Sequence, residues 1–443
     1  MRWLLRTAAS TVAIGLAAAP VVPAHAAPGP SAQQWWLGSW NIQKEVWPLT
    51  KGKGVTVAVI DTGVNAQLPD LKPAVLAGGD MTGRGGDGRQ DRDSYKDGHG
   101  TGMASLIASR GTQSGFYGVA PESMILPITA PSVSPPVTSK AVRFAVDHGA
   151  KVINLSIGLP SADLYPNQCP PELLDAVKYA ESKDVVIVAS SGDEGDTVNK
   201  PIYPASCPGV LAVGALARNG KPWVSTQQQS YVTVGAPGQD VGWINKTGHV
   251  FTAGEGTSQA SALTAGAAAL LRSHNPKLSA RQVVQRLTAT AKDFGPPGKD
   301  NMLGYGVISI PRALKQNVPA NAPNPVYERL DKVAGSKAGG GETKPAAAEE
   351  DDSGGFPVLI VAGVVVVLLI VGGGVFLLLR RRNTTPPSGP MGPMSGPPQP
   401  FGAPQGGPQQ SPYHQPGPQM QPPPPRPPAG GPPGGPHNPP PRR

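Results

Sequence analysis

Apolar runs and helix-period segments alternate through the first two-thirds of the chain. Val55 to Ile60 is an unbroken, β-branched apolar run, the mark of a strand buried on both faces. A helix is expected from near His99 through Met103, Leu106 and Ile107, and an amphipathic helix over Ser139 to His148. Strands are predicted over Val152 to Ile157, Val185 to Ala189 and Val210 to Leu216. Pro171 to Ser182 places Leu173, Leu174, Val177 and Ala180 on one helical face. Gly256 to Ser273 reads as a tight turn opening an alanine-rich helix that Asn275-Pro276 stops. Ser279-x-x-Gln282 is a capping box for the next helix. Strands alternating with helices predict an α/β fold with a parallel sheet and helices on both faces.

Two further apolar stretches change the picture. Arg2 and Arg6, the run Val12 to Ala19 and the small-residue site Ala24-His25-Ala26 read as a signal peptide over residues 1–26. Phe356 to Leu379 carries no charge and exceeds the roughly 20 residues a transmembrane helix needs. Arg380, Arg381 and Arg382 follow it, which predicts a cytoplasmic C-terminus and an exported N-terminal domain. Residues 27–54 hold Trp35, Trp36, Trp40 and Trp47 and are expected to pack on the domain at 55–314. Residues 315–355 lack periodicity and read as a flexible linker, and the Pro/Gly-rich tail at 380–443 as disordered. Six of the nine net positive charges are arginines beyond the apolar stretch. The exported part is therefore near neutral, without the basic footprint of a nucleic-acid binder.

The candidate chemistry lies in three short segments: Asp61-Thr62-Gly63, Asp97-Gly98-His99-Gly100-Thr101-Gly102 and Gly256-Thr257-Ser258. They supply a carboxylate, an imidazole and a hydroxyl, the set needed for nucleophilic acyl transfer. Asp61 falls at the carboxyl end of a predicted parallel strand, where sites form in such sheets. His99 is flanked by glycines that would allow close approach. Ser258 opens a helix, which places its hydroxyl at the positive end of the helix dipole. The two cysteines, Cys169 and Cys207, are both exported and free to pair in an oxidising compartment; two free thiols are the alternative.

On these motifs, from roughly Trp36 to Leu314, the chain resembles the subtilisin-like serine proteases, and among them the mycosins, membrane-anchored proteases of type VII secretion systems. The resemblance implies a triad of Asp61, His99 and Ser258 and an oxyanion hole built from the Ser258 N–H and residue 193. The family has Asn at that second position, whereas this chain has Asp193, and an ionised carboxylate donates no hydrogen bond. The resemblance therefore implies a slow protease, or one favoured at lower pH. It departs from the family pattern again at Gln259 and Ala262. Ser156, Ile157 and Gly158 resemble the segment that pairs with substrate backbone, with Gly192 on the opposite wall and both glycines leaving the pocket open. As in mycosins, the span between Ala26 and Val55 is too short for the folding pro-domain of many subtilisin relatives. No cofactor is implied. Asp87, Asp91 and Asp93 lie in a polar stretch without EF-hand spacing, read as a mobile acidic loop with calcium as the alternative. The expected partners are protein or peptide substrates, a type VII secretion membrane complex and the membrane itself. The competing reading is a structural component of that complex with weak or no proteolytic activity.

Overall fold

A computed structural model describes residues 34–338 apart from 96, 162–163 and 295–296. The expected signal peptide, membrane stretch and Pro-rich tail lie outside those residues, and among the described residues no helix is long and apolar enough to cross a membrane.

Seven strands form one sheet, whose named pairings are all parallel: β1 (Thr56–Asp61), β2 (Gly79–Asp80), β3 (Met124–Thr129), β4 (Val152–Leu155), β6 (Val186–Ser190), β8 (Leu211–Leu216) and β9 (Val232–Pro237). Their order is β2-β3-β1-β4-β6-β8-β9. Two short antiparallel pairs lie outside the sheet, β5 (Leu159–Pro160) with β7 (Ile202–Tyr203), and β10 (Trp243–Ile244) with β11 (Val250–Phe251). The helices are α1 (Trp35–Ser39), α2 (His99–Ala108), α3 (Pro135–Asp147), α4 (Pro171–Ser182), α5 (Thr257–His274), α6 (Ala280–Ala289), α7 (Ile310–Lys315) and α8 (Pro325–Ala338). The expected fold class holds. β3 and β9 escaped the sequence reading because Pro127 and Pro237 and the small residues around them interrupt the apolar runs.

α5 is the central helix. Its face of Ala260, Leu263, Ala267 and Leu270 is fully buried, and small side chains let it lie against β4, β6, β8, β9 and α2. Its Ala262 is a buried interior position. The capping box at Ser279 and Gln282 forms as predicted.

The tryptophan-rich segment packs onto the domain. Trp36, Trp40, Ile42 and Val46 enter the main core, and three indole N–H groups reach distant carbonyls: Trp35 to Asp240 at 2.9 Å, Trp40 to Ile308 at 3.1 Å and Trp47 to Val119 at 3.0 Å. The reading of 315–355 as a flexible linker needs correction at its start, because α8 is a packed helix. Val326, Tyr327 and Leu330 are buried, and Arg281 clamps Asp331 with two hydrogen bonds of 2.8 and 2.7 Å. The disulfide between Cys169 and Cys207 is formed.

Candidate active site

The carboxyl ends of the neighbouring strands β1, β4 and β6 carry Asp61, the segment Ser156–Gly158 and the segment Ser191–Asp193. Sequence order scatters these groups over more than 130 residues, and the sheet order brings them to one edge.

Asp61 is fully buried and His99 Nδ1 lies 2.8 Å from its Oδ1 and 2.9 Å from its Oδ2, so Nδ1–H donates to the carboxylate. Asp61 Oδ1 also accepts from the Thr62 N–H at 2.8 Å. With Nδ1 committed, Nε2 is the position left to take a proton. Desolvation alone would lower the His99 pKa. The charge and hydrogen bond of Asp61, with smaller contributions from Asp93 and Asp193, outweigh it and raise the pKa to about 9.

α2 begins without a side-chain cap of its own, on Gly98 in the left-handed region. Its first three N–H groups are instead held by remote side chains. His99 N–H donates to Asp93 Oδ2 at 3.0 Å, Gly100 N–H to Thr62 Oγ1 at 2.9 Å and Thr101 N–H to Asp91 Oδ2 at 2.9 Å. Thr62 Oγ1 and Thr101 Oγ1 both donate to Asp91, at 2.9 and 2.5 Å. Helix-start amides have no intrahelical partner and favour anions, so Asp91 and Asp93 fit there by both hydrogen bonding and charge. Read from sequence as a mobile acidic loop, this segment is a clamp between the end of β1 and the start of α2. The glycines around His99 also differ in use from the expectation. A Cβ on Gly100 would lie 2.2 Å from the Gly63 carbonyl oxygen, and one on Gly102 2.6 Å from the Trp243 ring. They admit the protein's own backbone and side chains rather than substrate.

Ser258 is the second residue of α5. Its hydroxyl donates to the Ser156 carbonyl at 3.0 Å, so its proton is not directed at His99 here. The Ser156 hydroxyl in turn donates to the Ser258 carbonyl at 3.0 Å, contacts the Ser261 hydroxyl at 2.8 Å and accepts from Asn154 Nδ2 at 2.9 Å. The end of β4 is thereby laced to the start of α5.

Asp193 Oδ1 accepts from both the N–H and the hydroxyl of Thr257, at 2.8 and 2.7 Å. That hydroxyl also accepts from Gly192 N–H at 3.0 Å. Asp193 is an exposed residue, but its carboxyl is crowded by protein. This burial raises its pKa, opposed by the two Thr257 bonds and by the charge of His99. Asp193 holds the residue before Ser258, and its charge adds to the raising of the His99 pKa.

The wall glycines do not leave an open pocket. A Cβ on Gly158 would lie 2.3 Å from Ile202 Cγ2, and one on Gly192 2.8 Å from Ile202 Cγ1. The Ile202 side chain occupies the space between them. Nothing in the sequence pattern signals this, because Ile202 lies far from both glycines and reaches them through the β5–β7 pairing.

A seven-stranded parallel sheet with an Asp–His pair and a serine-opened helix at one edge defines a class of hydrolase, and the comparison with known proteins agrees. The Subtilase family, peptidase S8, matches residues 52–306, and the chain belongs to that family as a subtilisin-like serine endopeptidase. Within it, the chain is similar to the mycosins. It is 32% identical over 349 residues to Mycosin-1 of Mycobacterium tuberculosis, covering 65% of this chain and 75% of that one. It is 36% identical to Mycosin-4 of the same organism, covering 62% and 67%. A solved structure of the MycP3 protease from the type VII (ESX-3) secretion system superposes with a TM-score of 0.56 at 34% identity, over 67% of this chain and 91% of that one.

Proposed function

We propose that the chain is a membrane-tethered, extracytoplasmic endopeptidase in which Ser258 attacks the scissile carbonyl, His99 takes and returns the proton, and Asp61 fixes the imidazole tautomer. The observation that carries this reading is the hydrogen-bonded Asp61–His99 pair. Attack requires the Ser258 hydroxyl to turn from the Ser156 carbonyl toward His99 Nε2. The Ser258 N–H, in the first turn of α5, is one donor to the oxyanion. The second is Asp193 when protonated. Its Oδ1 is held by Thr257, which leaves Oδ2 to carry the proton, and burial favours that acid form.

Tethering rests on the apolar stretch Phe356 to Leu379 and the arginines that follow it. The setting in a type VII secretion complex rests on similarity to proteases named for that system. The substrates would be exported proteins, cleaved on the outer side of the membrane, and the role needs no cofactor.

The full chain, purified in detergent, should hydrolyse unfolded casein, and the Ser258→Ala variant should not. Equal hydrolysis by both proteins would remove Ser258 from the mechanism.

A further inference from the structure

We propose that a groove between the tryptophan segment and the start of α7 binds an acidic segment of a partner polypeptide. The groove has a volume of about 480 Å³, and none of Asp61, His99, Asp193 and Ser258 lines it. That size admits several side chains of an extended chain.

The floor is apolar and braced. Trp40, Leu216 and Ile308 are buried there. The Trp40 indole N–H donates to the Ile308 carbonyl at 3.1 Å and the Trp35 indole N–H to the Asp240 carbonyl at 2.9 Å, which ties both rings to the domain. The rim is cationic. Arg218 follows β8, Lys292 follows α6, and Arg312 lies on α7. The side chains of Arg218 and Arg312 have no hydrogen-bond or ion-pair partner among the described residues. Glu45 is the carboxylate lining the groove among those residues, and it is already engaged. It accepts from Asn41 Nδ2 and from Lys315 Nζ, each at 3.0 Å. Asp293, next to Lys292, accepts from the Gly298 N–H at 2.7 Å. Phe294 is 39% exposed beside these cations.

Unanswered cations around an apolar concavity call for a ligand that carries both carboxylates and apolar side chains. Guanidinium groups match carboxylates with paired N–H donors, and arginine clusters read acidic motifs in this way. The chain does not supply the charge from the segment before Gln34, because residues 1–33 contain no Asp or Glu. The groove also borders the proposed site. Pro237 lines it, and the carbonyl of the next residue, Gly238, accepts from the Gly256 N–H at 3.0 Å in the turn that leads to Ser258. A partner held in the groove is bound beside the serine turn without entering the site.

The test uses the full chain in detergent, as Ser258→Ala so that no probe is cut. The probes are fluorescein-labelled Glu-Leu-Glu-Glu-Leu-Glu and Gln-Leu-Gln-Gln-Leu-Gln, read by fluorescence anisotropy. At low salt the acidic peptide should bind at least about tenfold tighter, the scale of two or three partly exposed ion pairs. The difference should shrink in about 1 M salt, where the screening length is about 3 Å. Arg218→Ser/Arg312→Ser should abolish it, and Lys140→Ser/Arg143→Ser, on α3 outside the groove, should keep it. Equal affinity for the two peptides overturns the proposal. So does a difference that survives in the groove variant, or one that the α3 variant loses to the same extent. Binding that appears only after Glu349→Gln, Glu350→Gln, Asp351→Asn and Asp352→Asn would assign the groove to the chain's own acidic run and overturn the partner.

Discussion

Asp193 sits where its family has asparagine, and its position next to His99 ties two titrations together. In the proposed mechanism catalysis needs His99 as the free base, and the oxyanion needs Asp193 as the acid. The pKa of His99 is raised to about 9, so its free-base fraction grows as pH rises through that value. Its contribution to stability runs the other way: it is present below the unfolded value near 6.5 and is lost as pH rises toward 9. Ionised Asp193 both withdraws a donor and helps hold His99 protonated. The Asp193→Asn variant removes both effects. Its kcat relative to wild type should rise with pH, toward the roughly 10²–10³-fold that one oxyanion donor is worth. The measurement is a paired pH–rate profile, and a ratio that stays flat with pH would exclude the protonated-acid role. Of these residues, the Asp61–His99 pair was legible in sequence because each member sits inside a short, glycine-punctuated motif. Ile202 was not, because contact across a strand pair leaves no local mark.

The start of α2 shows how an element can borrow its caps. Thr62, Asp91 and Asp93 satisfy the first three amides of the helix that carries His99, and Thr62 is also the residue after Asp61. The triad's carboxylate and imidazole are therefore held in register by a second connection besides their own bond. Replacing Asp91 with alanine removes acceptors from Thr62 and Thr101 together. Cap loss of this kind costs about 0.5–2 kcal/mol. The variant should melt lower and lose about tenfold or more in kcat, because small misplacements of a catalytic base are costly. Thermal unfolding beside turnover at saturating substrate checks this, and unchanged turnover would mean the clamp only stabilises. The acidic stretch looked like a free loop because its carboxylates are spaced for distant amides, a pattern with no local period. α8 misled for a different reason. Val326, Tyr327, Leu330 and Val333 do carry helical spacing, but alanine, glycine and proline around them masked it. The long strands β1, β4, β6 and β8 were legible because burial on both faces writes an unbroken apolar run.

Across the whole domain, the tryptophan segment, the disulfide and α8 brace the periphery, while α5 spans the sheet and delivers Ser258 to its edge. The proposed site draws Asp61 from β1, His99 from α2 and Ser258 from α5, three elements far apart in sequence. The most direct test of that convergence is fluorophosphonate labelling of the full chain followed by peptide mapping. The account predicts a single modified residue, Ser258, with labelling abolished in Ser258→Ala and reduced by orders of magnitude in His99→Ala. Undiminished labelling of the His99→Ala protein, or a label on another serine, would contradict it.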